Sequence, residues 1–535
     1  MIEEDCITKI PFAKTGYFSK VICDYLAKDK ELESFYSNFP EISGFKKQLE
    51  LKRQSFNANT RHTLVNVLTK QYQNLTVANL TEQNIQLLNK ENTFTVTTGH
   101  QLNLFTGPLY FLYKIISTIN LCKQLKLEFP EENFVPIYWM ATEDHDFDEI
   151  NYFNFKGQKI SWNIESKGGV GRLSTEGLDQ VTSIFEKSLD GSKNAKKIIQ
   201  LFKEAYLNHK NLADATRYLA NELFGENGLV IIDADSKQLK ELFKPFVKDE
   251  LLNQTSFKEV SGTIKNLEKG YNIQVNPREI NLFYLTDTLR ERIVFEEGVY
   301  KVVETNITWS KEEILSEVNE HPERFSPNVI MRPLYQEVVL PNLCYIGGGG
   351  ELAYWLELKA YFEKVEIPFP ILLLRNSALI ISDKQLNKAE KLNISIDELF
   401  LDQHELINKK IKEISEIKID FTNQRNALEE QFSDLEIIAE NTDKSFIGAV
   451  KAQKVKQLKG LDTLEKRLLK AQKRKLNDEV ERIKELQNQL FPNSSLEERQ
   501  RNFSELYLEH GDMFIPKLIA TLKPLEGEFS IVKYP

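Results

Sequence analysis

The densest chemistry in the chain is the run ATEDHDFDE at 141 to 149, where Glu143, Asp144, His145, Asp146 and Asp148 directly follow the apolar stretch VPIYWMA. Carboxylates crowded around an imidazole repel one another unless a metal cation, a basic side chain or a substrate amine compensates. The loop is therefore a candidate active-site segment, with Asp144, His145 and Asp146 as its catalytic residues. A plainer reading stays open, in which this is a solvated acidic loop whose aspartates cap a helix. Two carboxylates and a histidine suffice to ligate a divalent ion, but the HxxxH spacing of zinc helices is missing, so the pattern leaves a metal unknown.

A second constellation is TTGHQLNLFTGP at 97 to 108, where a buried strand ends at Thr98-Gly99 and a helix is expected from Gly107-Pro108. Proline suits a first helical position because its missing N–H needs no partner there. A loop at a strand's carboxyl end and a helix's positive end favours phosphate or carboxylate, and glycine lets such a ligand approach. Lys114 is placed to reach back from the helix, and His100 and Gln101 add donors. The GxxxxGK[ST] order of a P-loop is absent, and an ordinary loop leading into a helix is the competing reading.

The third is MRPLYQEVVLPNLCYIGGGGELAYWLELK, in which the glycines Gly347 to Gly350 separate a strand from a helix. Gly347 and Gly348 allow backbone contact with a substrate, and Glu351 lies in the first turn of the helix, where its charge also serves as a cap. Tyr354 and Trp355 lie near the loop, although aromatics at helix positions are commonly core. Arg332 and Arg375 each adjoin an apolar run, so each guanidinium needs an anion or a carboxylate nearby, and Ser377 adds a hydroxyl. Asp233 and Asp235 close the strand LVIID and are read as helix caps. His62, His209, His321, His404 and His510 have no partner motif.

The elements that position these loops follow from periodicity. Residues 1–90 read as helices packing on the core, with Leu64, Val67, Leu68 and Tyr72 on one helical face. From residue 94, FTVTT, FVPIYWMA and LVIID alternate with loops and helical stretches, which argues for an α/β fold with a parallel sheet flanked by helices. NLFYL at 281 to 285 and RERIVFEEGVYKVVE at 290 to 304 read as inserted antiparallel strands turning at Glu297-Gly298. The alternation returns with EVVLPNLCYI and FPILLLRNS, so residues 91–382 form the catalytic core. Residues 383–490 are Lys/Glu-rich helix. Leu461, Leu464, Leu468 and Ala471, then Leu476, Val480, Ile483 and Leu490, form a seam with one slip of register. With an earlier helical run near 403 to 438 and the polar break NTDK at 441 to 444, this predicts a long antiparallel coiled coil. Residues 491–535 are expected to return to the core and to end in a strand, FSIVKYP.

Bulk properties narrow the function. With 535 residues and 41% hydrophobic content the chain exceeds a single core, and a net charge of −10 without a basic block interleaved with aromatics argues against nucleic-acid binding. No stretch approaches a membrane span and the opening residues lack a signal-peptide pattern, so a cytoplasmic protein is expected. Cys6, Cys23, Cys122 and Cys344 are scattered and read as reduced, mostly structural thiols.

Taken together and in order, TTGHQLNLFTGPLYFLYK, VPIYWMATEDHDFDEIN, LVIIDADSKQLK, MRPLYQEVVLPNLCYIGGGGELAYW and LLLRNS, followed by the helical hairpin, resemble the bacillithiol-biosynthesis cysteine-adding enzymes, the cysteine ligases of that pathway. The resemblance implies a Rossmann-like core related in shape to class I aminoacyl-tRNA synthetases, with connecting-peptide insertions and a coiled coil that pairs two subunits into a homodimer. It also implies addition of L-cysteine to the amino group of glucosaminyl malate, the last step of bacillithiol synthesis. Amide formation in water requires an activated carboxylate, so ATP or another nucleotide is expected as the energy donor, although no KMSKS-like loop is present. On this reading Gly99, His100 and Gly107 with Lys114 hold the anionic part, Asp144, His145 and Asp146 hold and deprotonate the attacking amine or fix the cysteine, and Arg332 and Arg375 counter carboxylate or phosphate charge. The family usually shows TGQQ where this chain has His100, and GGPGE where it has Gly349. Two other classes remain open: a metal-dependent hydrolase using the acidic loop, and a non-enzymatic adaptor working through its coiled coil.

Overall fold

The computed structural model describes residues 6–442 and 444–534. The first five residues of the opening segment, Asp443 in the polar break and the side chain of Cys6 lie outside them. Two compact units are present. One holds Tyr17–Ile380 and Leu496–Tyr534 with the N-terminal residues up to Ala13; the other holds Ile381–Ser495 with Lys14–Gly16.

The first unit is built on a five-stranded sheet of β1 (Thr93–His100), β2 (Asn133–Met140), β3 (Val230–Asp233), β4 (Asn342–Gly347) and β5 (Ile371–Leu374). Every pairing is parallel and the order is β3-β2-β1-β4-β5. This is the Rossmann order, in which the chain winds outward on one side of β1 and then restarts on the other. β1 is buried on both faces, as a run of threonine, valine and phenylalanine allows. Its threonine hydroxyls are satisfied internally: Thr95 and Thr97 donate to Asn342 Oδ1 at 3.2 and 2.8 Å, and Thr98 donates to the Ile346 carbonyl at 2.8 Å. One face of the sheet joins a core of Phe94, Val96, Cys122, Leu125, Leu343, Cys344, Ile346 and Ile371. Cys122 and Cys344 are free thiols there, and burial pushes both pKa values up, which agrees with a structural role.

Three local expectations change. Cys6–Pro11 is a strand rather than part of an all-helical N-terminal segment, because its antiparallel partner, Glu528–Tyr534, comes from the other end of the chain. EVV in the third constellation belongs to helix α2 (Arg332–Val339), and the strand starts only at Asn342; a short apolar run cannot by itself distinguish the two states. Helix α1 (Tyr110–Glu128) begins after Pro108, which lies in the loop. The inserted antiparallel sheet is present, with Leu282–Thr286, Leu289–Glu296 and Val299–Val302 paired in succession and a tight turn at Glu297 (φ 53°) and Gly298 (φ 83°).

In the second unit, Thr422–Glu440 and Lys444–Lys475 lie antiparallel, cross-linked by Arg425 with Asp462 and by Lys454 with Glu436. Phe432, Ala439 and Val450 form their small core. The register slip in the seam falls where Leu476 leaves helical geometry and a separate helix, Asn477–Leu490, begins. Val480, Ile483 and Leu490 are buried, whereas Leu464 is 53% exposed. Among the described residues no helix is long and apolar enough to cross a membrane.

Candidate functional site

In open parallel sheets a ligand binds beyond the carboxyl ends of the strands, where the winding order reverses. Here that point lies between β1 and β4, and a cavity of about 740 Å³ opens there. Its lining takes Gly99, His100 and Gln101 from the carboxyl end of β1, Thr142 to His145 from beyond β2, Ala234 from beyond β3, Gly348 to Glu351 from beyond β4 and Arg375 from beyond β5. The three constellations therefore meet in one place.

The β1 and β4 loops are tied together by an ion pair between a buried lysine and a part-buried glutamate. Lys114, on the second turn of α1, donates from Nζ to the Gly99 carbonyl at 2.6 Å and lies 2.5 Å from Glu351 Oε2. Glu351, on helix α3 (Gly349–Trp355), also accepts from the Gly348 N–H at 2.9 Å and the Tyr345 hydroxyl at 2.6 Å. Burial pulls the lysine pKa down against the opposing pull of Glu351; burial likewise pushes on the glutamate, but Lys114 and these donors hold it below its ordinary value. Gly99 allows close packing, since a Cβ there would lie 3.2 Å from the Tyr345 hydroxyl, a tight contact, and 3.6 Å from an Arg332 nitrogen.

Arg375 is held from the other side. It donates to Glu498 Oε1 at 2.7 Å and to Ser377 Oγ at 2.9 Å, and its guanidinium lies over the Tyr110 ring at 5.0 Å. Its Nε is buried with no partner, and so is Nε2 of His100, which packs against Tyr110 and Phe111. Burial, then Lys114 and Arg375, hold the His100 imidazole well below its ordinary pKa, so it offers a neutral N–H or lone pair. Arg332 donates to Gln336 Oε1 at 3.2 Å and to the Tyr354 hydroxyl at 3.3 Å, within the cavity wall.

The acidic loop is compensated by basic side chains. Glu143 pairs with the buried Lys240 at 2.6 Å. Asp144 accepts from the His145 N–H at 2.8 Å and from Gln101 Nε2 at 3.0 Å. Although burial pushes its pKa up, the His145 side chain, then Gln101 and the charge of Arg290, with the His145 N–H, hold Asp144 below the usual carboxylate range. Arg290, from the inserted hairpin, approaches His145 Nδ1 at 2.7 Å while lying over the Phe283 ring at 4.0 Å. A guanidinium only donates, so Nδ1 accepts and the ring hydrogen sits on Nε2. Beneath the loop, Thr142 donates to Asp233 Oδ1 at 2.5 Å, and Asp235 takes two hydrogen bonds from Arg172 at 2.7 and 2.9 Å. These two aspartates brace the loop; the N-cap of the following helix is Ser236. Among the described residues no group of three or more His, Cys, Asp or Glu side chains is arranged to hold a metal ion.

Several expected site residues stand elsewhere. Asp146 is exposed and does not line the cavity. Thr98 is fully buried in its bond to Ile346, Gly347 closes β4, and Ser377 is a buried support for Arg375. Trp355 is core, stacked on Tyr345 at 4.5 Å, whereas Tyr354 does face the cavity. Gly107 lines a neighbouring side pocket instead. The loop that carries it is not an open anion cradle: Asn502 donates to the Phe105 and Gly107 carbonyls at 2.7 and 2.6 Å, and the Leu109 N–H is taken by the Arg501 carbonyl. Phe105 anchors it among Phe153, Phe185, Phe202 and Phe503. Conversely, Arg278, Arg290, Arg292 and Arg499 line the cavity unforeseen. Arg290 and Arg292 share one face of a strand, and that alternation was the available signal.

With Lys114, Arg332 and Arg375 these make seven cationic side chains around the cavity against three carboxylates, Glu143, Asp144 and Glu351. Among the described residues no carboxylate pairs with Arg278, Arg292 or Arg499. The arrangement suits a ligand with several negative charges and an ammonium for Asp144.

Comparison with known proteins gives matches along the whole chain. Residues 6–376 match the family described as "Bacillithiol biosynthesis BshC, N-terminal Rossmann-like domain", and residues 378–534 match "Bacillithiol biosynthesis BshC, C-terminal coiled-coil domain". A Christiangramia forsetii protein is 60% identical over 98% of both chains. One from Flavobacterium johnsoniae is 59% identical over 99% of both, and one from Cytophaga hutchinsonii is 38% identical over 97% of both. All three bear the name "Putative cysteine ligase BshC".

Proposed function

The chain belongs to the BshC family of bacillithiol biosynthesis, and on that premise we propose that it is a ligase that forms an amide bond by adding L-cysteine to the amino group of glucosaminyl malate, the last step of the pathway. The observation that carries the substrate assignment is the charge of the switch-point cavity, seven cations around three carboxylates. Malate brings two carboxylates and activation of a carboxylate brings phosphate, so such a lining is required whichever reactant binds where.

The residues divide the work. Arg332 and the unpaired Arg278 and Arg292 receive carboxylates. Asp144, kept ionised, anchors an ammonium; a carboxylate held this far below its ordinary pKa is a weak base, so anchoring rather than proton removal is its role. His145 presents Nε2–H and donates to a developing negative charge. ATP or a related nucleotide supplies activation of the cysteine carboxylate. Support for this comes from the unpartnered Nε2 of His100 and Nε of Arg375, two buried polar atoms near Lys114 of a kind that phosphate oxygens would satisfy. Exposed apolar residues on the helical hairpin, among them Val455 and Leu464 at 53% each, support a homodimer formed through the coiled coil. Sedimentation of Leu464→Glu tests this, with the wild type sedimenting as a dimer and the variant shifting toward monomer.

The assay for the activity incubates the protein with L-cysteine and glucosaminyl malate, with ATP, with other nucleoside triphosphates and with none, and follows the condensation product by mass spectrometry. A nucleotide-dependent product is expected. A metal-dependent hydrolase gains no support from the two carboxylates of the loop that line the cavity, since Glu143 is engaged by Lys240 and Asp144 by Gln101 and Arg290.

A further inference from the structure

Beside the cationic cavity lies a second, smaller one of about 300 Å³, sharing Gln101, Tyr110 and Arg499 with it. Its character is different. The amides of Gln101, Asn103, Asn154 and Gln500 line it, with the ring of Tyr152, and its charged side chains are Glu149 and Arg499. Asn103 is 8% exposed; its Nδ2 donates to the Glu149 carbonyl at 3.2 Å, while its Oδ1 is buried with no partner. A buried acceptor left unmatched costs about 1–3 kcal/mol, and a ligand donor removes that cost. Gly107 holds this acceptor in place, since its φ of 61° sets the turn and a Cβ there would lie 2.6 Å from the Asn103 Cβ.

Amide side chains offer donors and acceptors together, which matches hydroxyl groups, themselves both donor and acceptor, better than it matches any ion. The volume is at the small end for a ligand site, enough for one ring-sized group. We propose that this side pocket is a neutral sugar subsite that takes a pyranose ring by its hydroxyl groups, with Asn103 Oδ1 as the buried acceptor. The inference rests on the ligase reading for its choice of substrate: the hexosamine ring of the acceptor occupies the side pocket while its malate end lies in the cationic cavity. Gln101 then stands between the two, donating to Asp144 at 3.0 Å and to Glu149 at 2.9 Å.

The test is saturation-transfer NMR on the full-length protein with methyl α-D-glucopyranoside as the sugar probe and L-malate as the anionic probe. Transfer to the sugar is expected to persist at saturating L-malate and to weaken about fivefold or more, the scale of one lost hydrogen bond, in Asn103→Leu and Asn154→Leu, with L-malate binding unchanged. Asn154→Leu serves as the test if Asn103→Leu fails to fold. Absence of transfer, displacement of the sugar by L-malate, or unchanged transfer in the folded variants overturns the proposal. The two readings fail separately: condensation product without sugar binding removes the subsite and leaves the ligase, whereas sugar binding without product does the reverse.

Discussion

On the wall of the cavity built from α1, the glycine loop and the end of β5, two cations face carboxylates inside the protein: Lys114 faces Glu351, and Arg375 faces Glu498, with side-chain exposures of 4 and 26%, and of 4 and 0%. On the opposite wall, Asp144 and His145 are 30 and 50% exposed and are held mainly by hydrogen bonds from Gln101 and Arg290. The first pattern fixes backbone, since Lys114 and Glu351 grip the Gly99 carbonyl and the Gly348 N–H, and a buried pair is costly to break from one side. The second leaves atoms facing the cavity. One wall is scaffold with a few ligand-facing atoms; the other is reactive surface on a braced loop.

The sharpest way to break this contrast is Glu498→Ala, which strands a buried guanidinium. A loss of about 3–5 kcal/mol in unfolding free energy is expected from urea titration, together with lost activity. An unchanged midpoint would place Arg375 among freely solvated groups. On the other wall, Asp144→Asn and His145→Ala are expected to reduce kcat/KM on the order of 10²-fold, as removal of a positioned polar group does. The unfolding midpoint of His145→Ala should move little, by roughly 0.5 kcal/mol, since that side chain is half exposed. A stability loss as large as that of Glu498→Ala would erase the distinction.

The bracing below the acidic loop carries a pH signature. Burial, then the neighbouring Asp235, raises Asp233 from 3.8 to about 6. The native state therefore holds its proton more tightly than the unfolded chain does, so the contribution is fully present below pH 3.8 and is lost as pH rises through about 6. Relative to Asp233→Asn, the wild type should lose stability across that window with a slope of at most about 1.4 kcal/mol per pH unit and run parallel above it. A difference that grows with pH instead would contradict the raised value. The smallest effect concerns a single hydrogen: the ¹⁵N spectrum of His145 should show its hydrogen on Nε2, and Arg290→Met should yield a tautomer mixture. A wild-type Nδ1–H tautomer would remove the Arg290 contact from the account.

Much of the site was legible in the sequence because each loop directly follows a strand in the same stretch of chain: FTVTT-GHQ, VPIYWMA-TEDH and CYI-GGGGE bring their chemistry to one edge of a parallel sheet by topology alone. The cations that set the charge of the cavity were not, since Arg278, Arg290 and Arg292 arrive on an inserted segment and Arg499 from the C-terminal part of the chain, and the alternation that puts Arg290 and Arg292 on one face does not tell what that face packs against. The same holds for the loop at Gly107, whose helix-start signature is genuine but whose amide and carbonyl groups are claimed by Asn502 and Arg501 from far along the chain. Arg375 read correctly as a guanidinium needing an anion; its partner, Glu498, lay in a segment read only as returning to the core.

The most direct test of the central claim, that the cation-lined switch point joins cysteine to an amine, compares condensation product from the wild type and from folded Asp144→Asn, each supplied with L-cysteine, glucosaminyl malate and a nucleoside triphosphate. The account predicts the amide product from the wild type and on the order of 10²-fold less from the variant. Equal product from both, or none from the folded wild type under any nucleotide condition, would contradict it.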